Sequence, residues 1–404
     1  MRKSVSGRGN GKILSGERGS AAGRGTNASH EETGLPGLYI HIPFCLRKCG
    51  YCSFYSVTEL TQIPAFLEAL RREIAFCRFD GTTFDTLYIG GGTPSVLAAA
   101  QLQGLLADIR SAFTLTPDAE ITVEANPADI NGGLLTALRD SGVNRLNIGV
   151  QSLDDGLLAF LERRHERSQA LLAVADARAA GFDHIGLDLI HGVPGQTLTS
   201  WFATLREAIA LNPDHLSCYQ LTLEDGTPLA ERCRRGEAVL PDETLQSDFF
   251  LRTSEMLEDS GYIHYEVSNF ARPGAESRHN RKYWRHTPYI GLGPAAHSFS
   301  GRERRWNRRS LDAYLRDLAE GRRPVEASEL LTEEQLRLEA LFLGFRTRRG
   351  IHLEQFKSRY GQDLLAEKAG ILKKLTEEGL VEIRDGFLRP TRAGMAVADS
   401  LALI

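Results

Sequence analysis

No stretch of this 404-residue chain is apolar for the roughly 18–20 residues that a membrane-spanning helix needs. Net charge is small as well. It stands at −4 with 25% charged residues, which gives no global pull toward nucleic acid or anionic lipid. Cysteine is rare, six residues in all, too few for a secreted disulfide framework. That scarcity points to a reduced, cytoplasmic compartment. Cys77 and Cys218 lie in apolar surroundings and read as small core residues. Residues 1 to about 35 have almost no apolar side chains and are rich in Gly, Ser and Arg. They lack the apolar centre of a signal peptide and are expected to form a disordered tail.

From Leu38 onward the pattern changes to short β-rich runs separated by helical ones. "LYIHI" (Leu38–Ile42), "TLYIG" (Thr86–Gly90), "EITVEA" (Glu120–Ala125), "NRLNIGVQS" (Asn144–Ser152), "HIGLDLI" (His184–Ile190) and "HLSCYQLTL" (His215–Leu223) read as six strands. Segments such as "PAFLEALRREIAF" and "QALLAVADARAAG" carry apolar residues at i, i+3, i+4 spacing. Alternation of this kind predicts parallel β/α units in a partial (β/α)6 barrel, with its site at the C-terminal ends of the strands. Residues 36–240 are expected to form the barrel and residues 241–325 a linking, barrel-completing region. Residues 326–404 read as a helical, winged-helix-like domain, with a hairpin turn at Asp385-Gly386 and a last helix capped by Thr391.

The chemistry concentrates in "HIPFCLRKCGYCSFYSV" (His41–Val57), where Cys45, Cys49 and Cys52 have the spacing C-x3-C-x2-C. Structural zinc sites usually pair one C-x2-C with a second, and no second pair exists here. A cubane iron–sulfur cluster normally takes four cysteines. Three would leave one iron open, an asset where a cofactor chelates it, so the fourth ligand is expected to be non-protein.

C-x3-C-x2-C is the motif of the radical S-adenosylmethionine (SAM) superfamily, and "GGGTP" (Gly90–Pro94) resembles that superfamily's glycine motif. "LYIHIPFC", "GGGTPS", "GVQS", "LERRH", "DLIHGVPGQ" and "GLGPAAHSF" together resemble the oxygen-independent coproporphyrinogen III oxidase family over roughly residues 36–400. The resemblance implies a [4Fe–4S] cluster on Cys45, Cys49 and Cys52, with SAM on the open iron. It implies SAM contacts from Tyr39, the Tyr51 backbone, Gly91, Gly92, Thr93 and Glu124. Gln151, Arg163 and Asp188 match further cofactor positions, with Arg163 preferred over Arg164, and Thr222 and His297 match two more.

Two departures separate the chain from the oxidases. Their motif continues to a fourth cysteine, where this chain has Phe54, and "HNRKYW" (His279–Trp284) has the form H-N-x-x-Y-W. That form is similar to one in the sister branch, the HemW-type heme chaperones. A porphyrin wants an axial imidazole or thiolate and a flat aromatic wall, and His279, Tyr283 and Trp284 are the candidates to supply them. His41, His165, His191 and His297 are competing imidazoles. Glu162 and Ser53 stand where relatives often carry Gly and Asp. The expected role is binding heme and passing it to acceptor hemoproteins at the membrane face. The alternative is radical decarboxylation of coproporphyrinogen III. A third reading, a DNA-binding regulator using "RTRRG" of the C-terminal domain, is opposed by the acidic residues around it, among them Glu333, Glu334, Glu377, Glu378 and Asp385.

Overall fold

Side chains alternate across a strand, so a strand covered on both faces shows which face is dry. In the six runs above one set is Leu, Ile and Val, and the other is polar or aromatic. The computed structural model describes residues 34–77 and 81–404, so residues 1–33 of the expected disordered tail lie outside the described residues. The six strands are β1 (Gly37–Ile42), β2 (Thr83–Gly91), β3 (Thr114–Ala125), β4 (Arg145–Gln151), β5 (His184–His191) and β6 (His215–Gln220). They pair in parallel in sequence order. The apolar set, including Ile40, Leu87, Val123, Ile148, Leu187 and Leu216, packs against the helices in one large core. Phe66, Leu102, Leu134, Val174 and Trp201 are the helical partners there. The other set shares register across the sheet: Tyr39 beside Tyr88, Glu124 beside Asn147, and Asp188 beside Ser217. Dispersion and hydrophobic burial hold the outer layer, and the inner face is left for polar chemistry.

Later residues extend this sheet at both edges. β7 (Ile263–Glu266) and β8 (Asn269–Ala271) join antiparallel beside β6. β9 (Tyr289–Leu292) runs parallel to β1, followed by β10 (His297–Phe299), β11 (Glu303–Asn307) and β12 (Val325–Leu330) in antiparallel order. The twelve strands run β12-β11-β10-β9-β1-β2-β3-β4-β5-β6-β8-β7, and the two end strands do not pair, so the barrel is partial, as expected. Glu73 ties β9 and its following turn to the first barrel helix, Ile63–Phe76. Its buried carboxylate accepts hydrogen bonds from Gly293 N (2.8 Å), Tyr314 OH (2.7 Å) and Asn307 Nδ2 (2.5 Å).

The C-terminal helices Glu333–Phe345, Leu353–Tyr360, Leu364–Glu367 and Ala369–Glu377 bury their own core around Phe345, Phe356 and Leu388. β13 (Ile351–His352) adds to the expected hairpin of β14 (Val381–Arg384) and β15 (Phe387–Pro390), giving the sheet order β13-β15-β14. Asp385 (φ 52) and Gly386 (φ 78) both take the left-handed conformation that a tight hairpin turn requires. Thr391 caps the following helix by accepting from Gly394 N. Main-chain bonds Val267 N to Arg346 O and Arg348 N to Tyr265 O fasten this domain to the sheet. Arg346 pairs with Asp399, and Arg348 with Glu258, so the basic run meets carboxylates of the same chain. Among the described residues, no helix is long and apolar enough to cross a membrane.

Candidate functional site

The segment after β1 leaves the sheet at its C-terminal edge and is pinned at its ends. Cys45 N donates to Val57 O (3.0 Å) and Val57 N to Pro43 O (2.7 Å). His41 holds the same loop from below. Its Nε2 meets Tyr55 O at 2.9 Å, its Nδ1 meets Tyr39 OH at 3.0 Å, and burial lowers its pKa to about 4. Cys45, Cys49 and Cys52 are half-buried and free of disulfides. Thr93 Oγ1 lies 3.3 Å from Cys45 Sγ, and Arg163 Nη1 lies 3.6 Å from Cys49 Sγ. Among the described residues, no three His, Cys, Asp or Glu groups form a site for one metal ion. A polynuclear cluster asks for something else, one thiolate on each of several irons.

The glycine segment ends β2 beside that loop. A Cβ on Gly92 would come within 2.7 Å of Phe44 O, and one on Gly91 (φ +111) within 2.6 Å of the His41 ring. These glycines are therefore demanded by packing within the chain itself. Glu124, at the end of β3, accepts from Tyr88 OH at 2.7 Å and from Gly91 N at 3.2 Å. Burial pushes its pKa up to about 7 against the hydrogen bond from Tyr88.

On β4 and β5 the polar face continues. Gln151 sits at φ 66 where β4 ends. Arg163 Nη2 donates to Gly149 O (2.7 Å), while its Nε is buried with no partner. Asp188 Oδ2 accepts from Asn147 Nδ2 (2.7 Å), and its Oδ1 is likewise buried and unpartnered. Arg164 turns away and makes a two-pronged pair with Asp129 (2.9 and 2.8 Å), so the arginine facing the cysteines is Arg163. Tyr51 packs beside Leu161 and Ile190. Thr222 is exposed after β6, with its hydroxyl 3.2 Å from Glu224. His297 is exposed on β10, two strands out from β1, and stacks on Trp306 at 5.8 Å.

The H-N-x-x-Y-W segment forms the helix Arg278–Trp284, capped by Ser277. It lies at the opposite end of the strands. His279 Nδ1 meets Thr86 Oγ1 at 2.8 Å, and Gly37, the first residue of β1, pairs with Thr86. The five residue steps from there to Ile42 separate the helix from the cysteine loop by roughly 17 Å along the strand. His279 Nε2 meets Tyr283 OH at 2.9 Å, its backbone N–H donates to Glu120 at 2.9 Å, and its ring stacks on Tyr88 at 5.2 Å. Burial lowers its pKa to about 3. Both ring nitrogens are thus engaged within the protein, and the ring offers no free lone pair to iron in this conformation. Trp284 lies under the Arg346 guanidinium (5.4 Å), and Tyr283 packs edge-on to Tyr289 at 4.7 Å. His279 and Tyr283 thus pair with each other while Trp284 meets Arg346, so the three side chains do not line one wall.

Residues 39–208 match the Radical SAM superfamily, and residues 331–397 match the HemN C-terminal domain. Heme chaperone HemW of Mycobacterium tuberculosis is 37% identical over 371 residues, covering 90% of this chain and 93% of the relative. Heme chaperone HemW of Bacillus subtilis is 34% identical, covering 91% and 98%. The chain belongs to the HemW family. The solved coproporphyrinogen III oxidase (HemN) from Escherichia coli, a radical SAM enzyme, superposes with a TM-score of 0.80 at 27% identity, over 93% of this chain and 91% of that one. Membership of the radical SAM superfamily implies a [4Fe–4S] cluster and SAM.

Three further residues of this HemW-family chain bear on the geometry of the site. Phe54, at the oxidases' fourth-cysteine position, is 68% exposed. Glu162 takes φ 56, a left-handed conformation that glycine adopts without strain. Gly293 (φ +96) lets the "GLGP" turn pass under β1, because a Cβ there would lie 2.4 Å from His41 O.

Proposed function

We propose that the protein is a heme chaperone, which binds heme and hands it to acceptor hemoproteins, on a radical SAM scaffold. The observation that carries this reading is near-full-length similarity to proteins named heme chaperone HemW, in a chain whose cysteine motif stops at three. Cys45, Cys49 and Cys52 are the proposed ligands of the cluster. The free thiols support this, as do the Thr93 hydroxyl and the Arg163 guanidinium placed against two of them. When bound, a cluster of this type supplies an electron to the sulfonium of SAM.

The side chains around the loop have separate tasks. Glu124 is the proposed partner of SAM's amino group, since an ammonium beside a buried carboxylate restores the charge that burial disfavours. Gly91, Gly92 and Thr93 keep β2 close to the loop. Arg163 and Asp188 each present a buried polar atom without a partner, and unpaired buried groups of this kind cost about 1–3 kcal/mol unless a ligand completes them. Gln151 and the Tyr51 backbone flank them. Thr222 and His297 are proposed as rim contacts only. The acceptors are hemoproteins, and the compartment is the cytoplasm.

The test is hand-over. Protein loaded with heme is mixed with an apo-hemoprotein, and the acceptor's Soret band is followed. Transfer faster than from free heme supports the chaperone. Retention of all heme by the donor contradicts it. The oxidase reading has one observation in its favour, the 0.80 TM-score to a coproporphyrinogen III oxidase. Phe54 in place of the fourth cysteine speaks against it.

A further inference from the structure

A cavity of ≈ 290 Å³ opens where the sheet edge meets the C-terminal domain. Tyr289, Phe299 and Phe342 give it flat apolar walls, and Tyr283 of the H-N-x-x-Y-W helix lines it as well. Its polar end is built from Arg304, Glu339 and His286. Arg304 grips the Glu339 carboxylate with two nitrogens (3.0 and 2.8 Å), and His286 Nε2 lies 3.1 Å from the same carboxylate. His286 is only 6% exposed and holds φ 52, just beyond the helix end. Glycine or Asn is the usual residue in that left-handed position, so an imidazole held there at conformational cost is a pointer to function.

We propose that this cavity takes one propionate-bearing edge of heme, and that Glu339 keeps the propionate's place when heme is absent. The inference rests on the heme-chaperone reading. The aromatic walls take the macrocycle edge, and a propionate replaces the Glu339 carboxylate between Arg304 and His286. One carboxylate is exchanged for another, so the cation keeps a two-pronged partner throughout. The cavity is at the small end of ligand pockets, which span about 300–1,000 Å³. It therefore holds an edge and leaves the rest of the ring outside, as suits a ligand that must be passed on. Phe342 and Glu339 come from the helix Glu333–Phe345, so occupancy also bears on the seam between the two domains.

The experiment titrates the full-length protein with hemin and, in parallel, with hemin dimethyl ester, which lacks free propionates, following the Soret band. Wild type is expected to bind hemin and to bind the ester about tenfold more weakly. Arg304→Gln should weaken hemin binding and abolish the preference over the ester. Phe342→Ala, at a half-exposed position, should weaken both ligands. Glu339→Gln should bind hemin more tightly, because the nearer of the two carboxylates paired with Arg304 has lost its charge, while Glu329 stays at 3.3 Å. A purely structural role for the Arg304–Glu339 pair predicts no gain in that variant. Equal binding of hemin and ester by wild type, or hemin binding unchanged in both Arg304→Gln and Glu339→Gln, overturns the inference and leaves the chaperone reading standing. No hemin binding by wild type overturns both. Should Arg304→Gln fail to fold, the ester comparison on wild type decides alone.

Discussion

The loop after β1 and the helix Arg278–Trp284 carry the two most specific motifs of the chain, and the loop's thiols and the helix's His279 are treated in opposite ways, while Trp284 Nε1 is itself buried without a partner. On the loop, three thiols are free of disulfides and half-buried, with long contacts to the Thr93 hydroxyl, the Arg163 guanidinium and the Glu162 carbonyl. Close by, Arg163 Nε and Asp188 Oδ1 are buried without partners. In the helix, His279 uses both ring nitrogens at 2.8 and 2.9 Å and its backbone N–H at 2.9 Å. Unpaired polar atoms in a folded interior have a cost, and a ligand that completes them explains their persistence. A saturated imidazole needs no ligand. In this conformation it joins β2, β3 and Tyr283 beside the start of β1. A motif thus marks a place where sequence is specified. The hydrogen-bond tally of its atoms shows whether the specification serves binding or scaffold.

The contrast can be broken most severely at the cysteines. Cys45→Ala should remove iron and visible charge-transfer absorbance after anaerobic reconstitution while far-UV circular dichroism stays unchanged, because the residue closes no disulfide and fills no core. Full cluster content in that variant would contradict the assignment. Next in size, His279→Ala should cost about 2–4 kcal/mol of stability, read from a denaturant midpoint, through the cavity it leaves and the Thr86 and Tyr283 hydroxyls it strands. Cluster content should be retained. An unchanged midpoint would mean that the ring is not scaffold.

Neighbouring arginines sharpen the same division. Arg163→Gln should weaken SAM binding about tenfold, measured calorimetrically. Arg164→Gln should leave SAM affinity intact and cost about 1 kcal/mol through the lost pair with Asp129. Equal losses of affinity would erase the distinction between them.

The smallest effect is a pH slope. Glu124 holds its proton more tightly folded (about 7) than unfolded (4.5), so its stabilising contribution is present below about pH 4.5 and is lost as pH rises through about 7. Buried Glu266, pushed up to about 7 as well, acts in the same direction. Buried histidines act the other way, since His41 and His165 (about 4) and His279 (about 3) hold their protons less tightly folded than unfolded (6.5) and gain stability as pH rises toward 6.5. The Glu124 part is therefore read as a difference: without SAM, Glu124→Gln should gain melting temperature relative to wild type as pH rises from about 4.5 to about 7. An identical slope in the variant would place the titration elsewhere.

Much of the barrel was legible because its strands are continuously apolar on one face and polar on the other, as in Leu38–Ile42 and Leu146–Gln151. The edge strands were not. β11 reads "ERRWN" and β12 reads "VEASEL", charged sequences suited to exposed edges. β13 has two residues, too few to carry a period. The turn at Asp385-Gly386 and the cap at Thr391 were readable because local chemistry decides them. At the site, cysteine spacing was readable in one dimension, and the preference for Arg163 over Arg164 stays a proposal supported by its contact with Cys49. The placement of His279 was not, since Thr86 lies 193 residues away in sequence. Glu73 and Glu339 gave no signal for the same reason: each looks like a solvated helix carboxylate until its distant partners are brought to it.

One measurement bears on the central claim most directly. The anaerobically reconstituted protein is incubated with coproporphyrinogen III, SAM and a reductant, and in parallel titrated with heme. Stoichiometric heme binding with no protoporphyrinogen formed is the predicted result. Protoporphyrinogen formation would contradict it and make the chain an oxidase that manages without a cysteine at position 54.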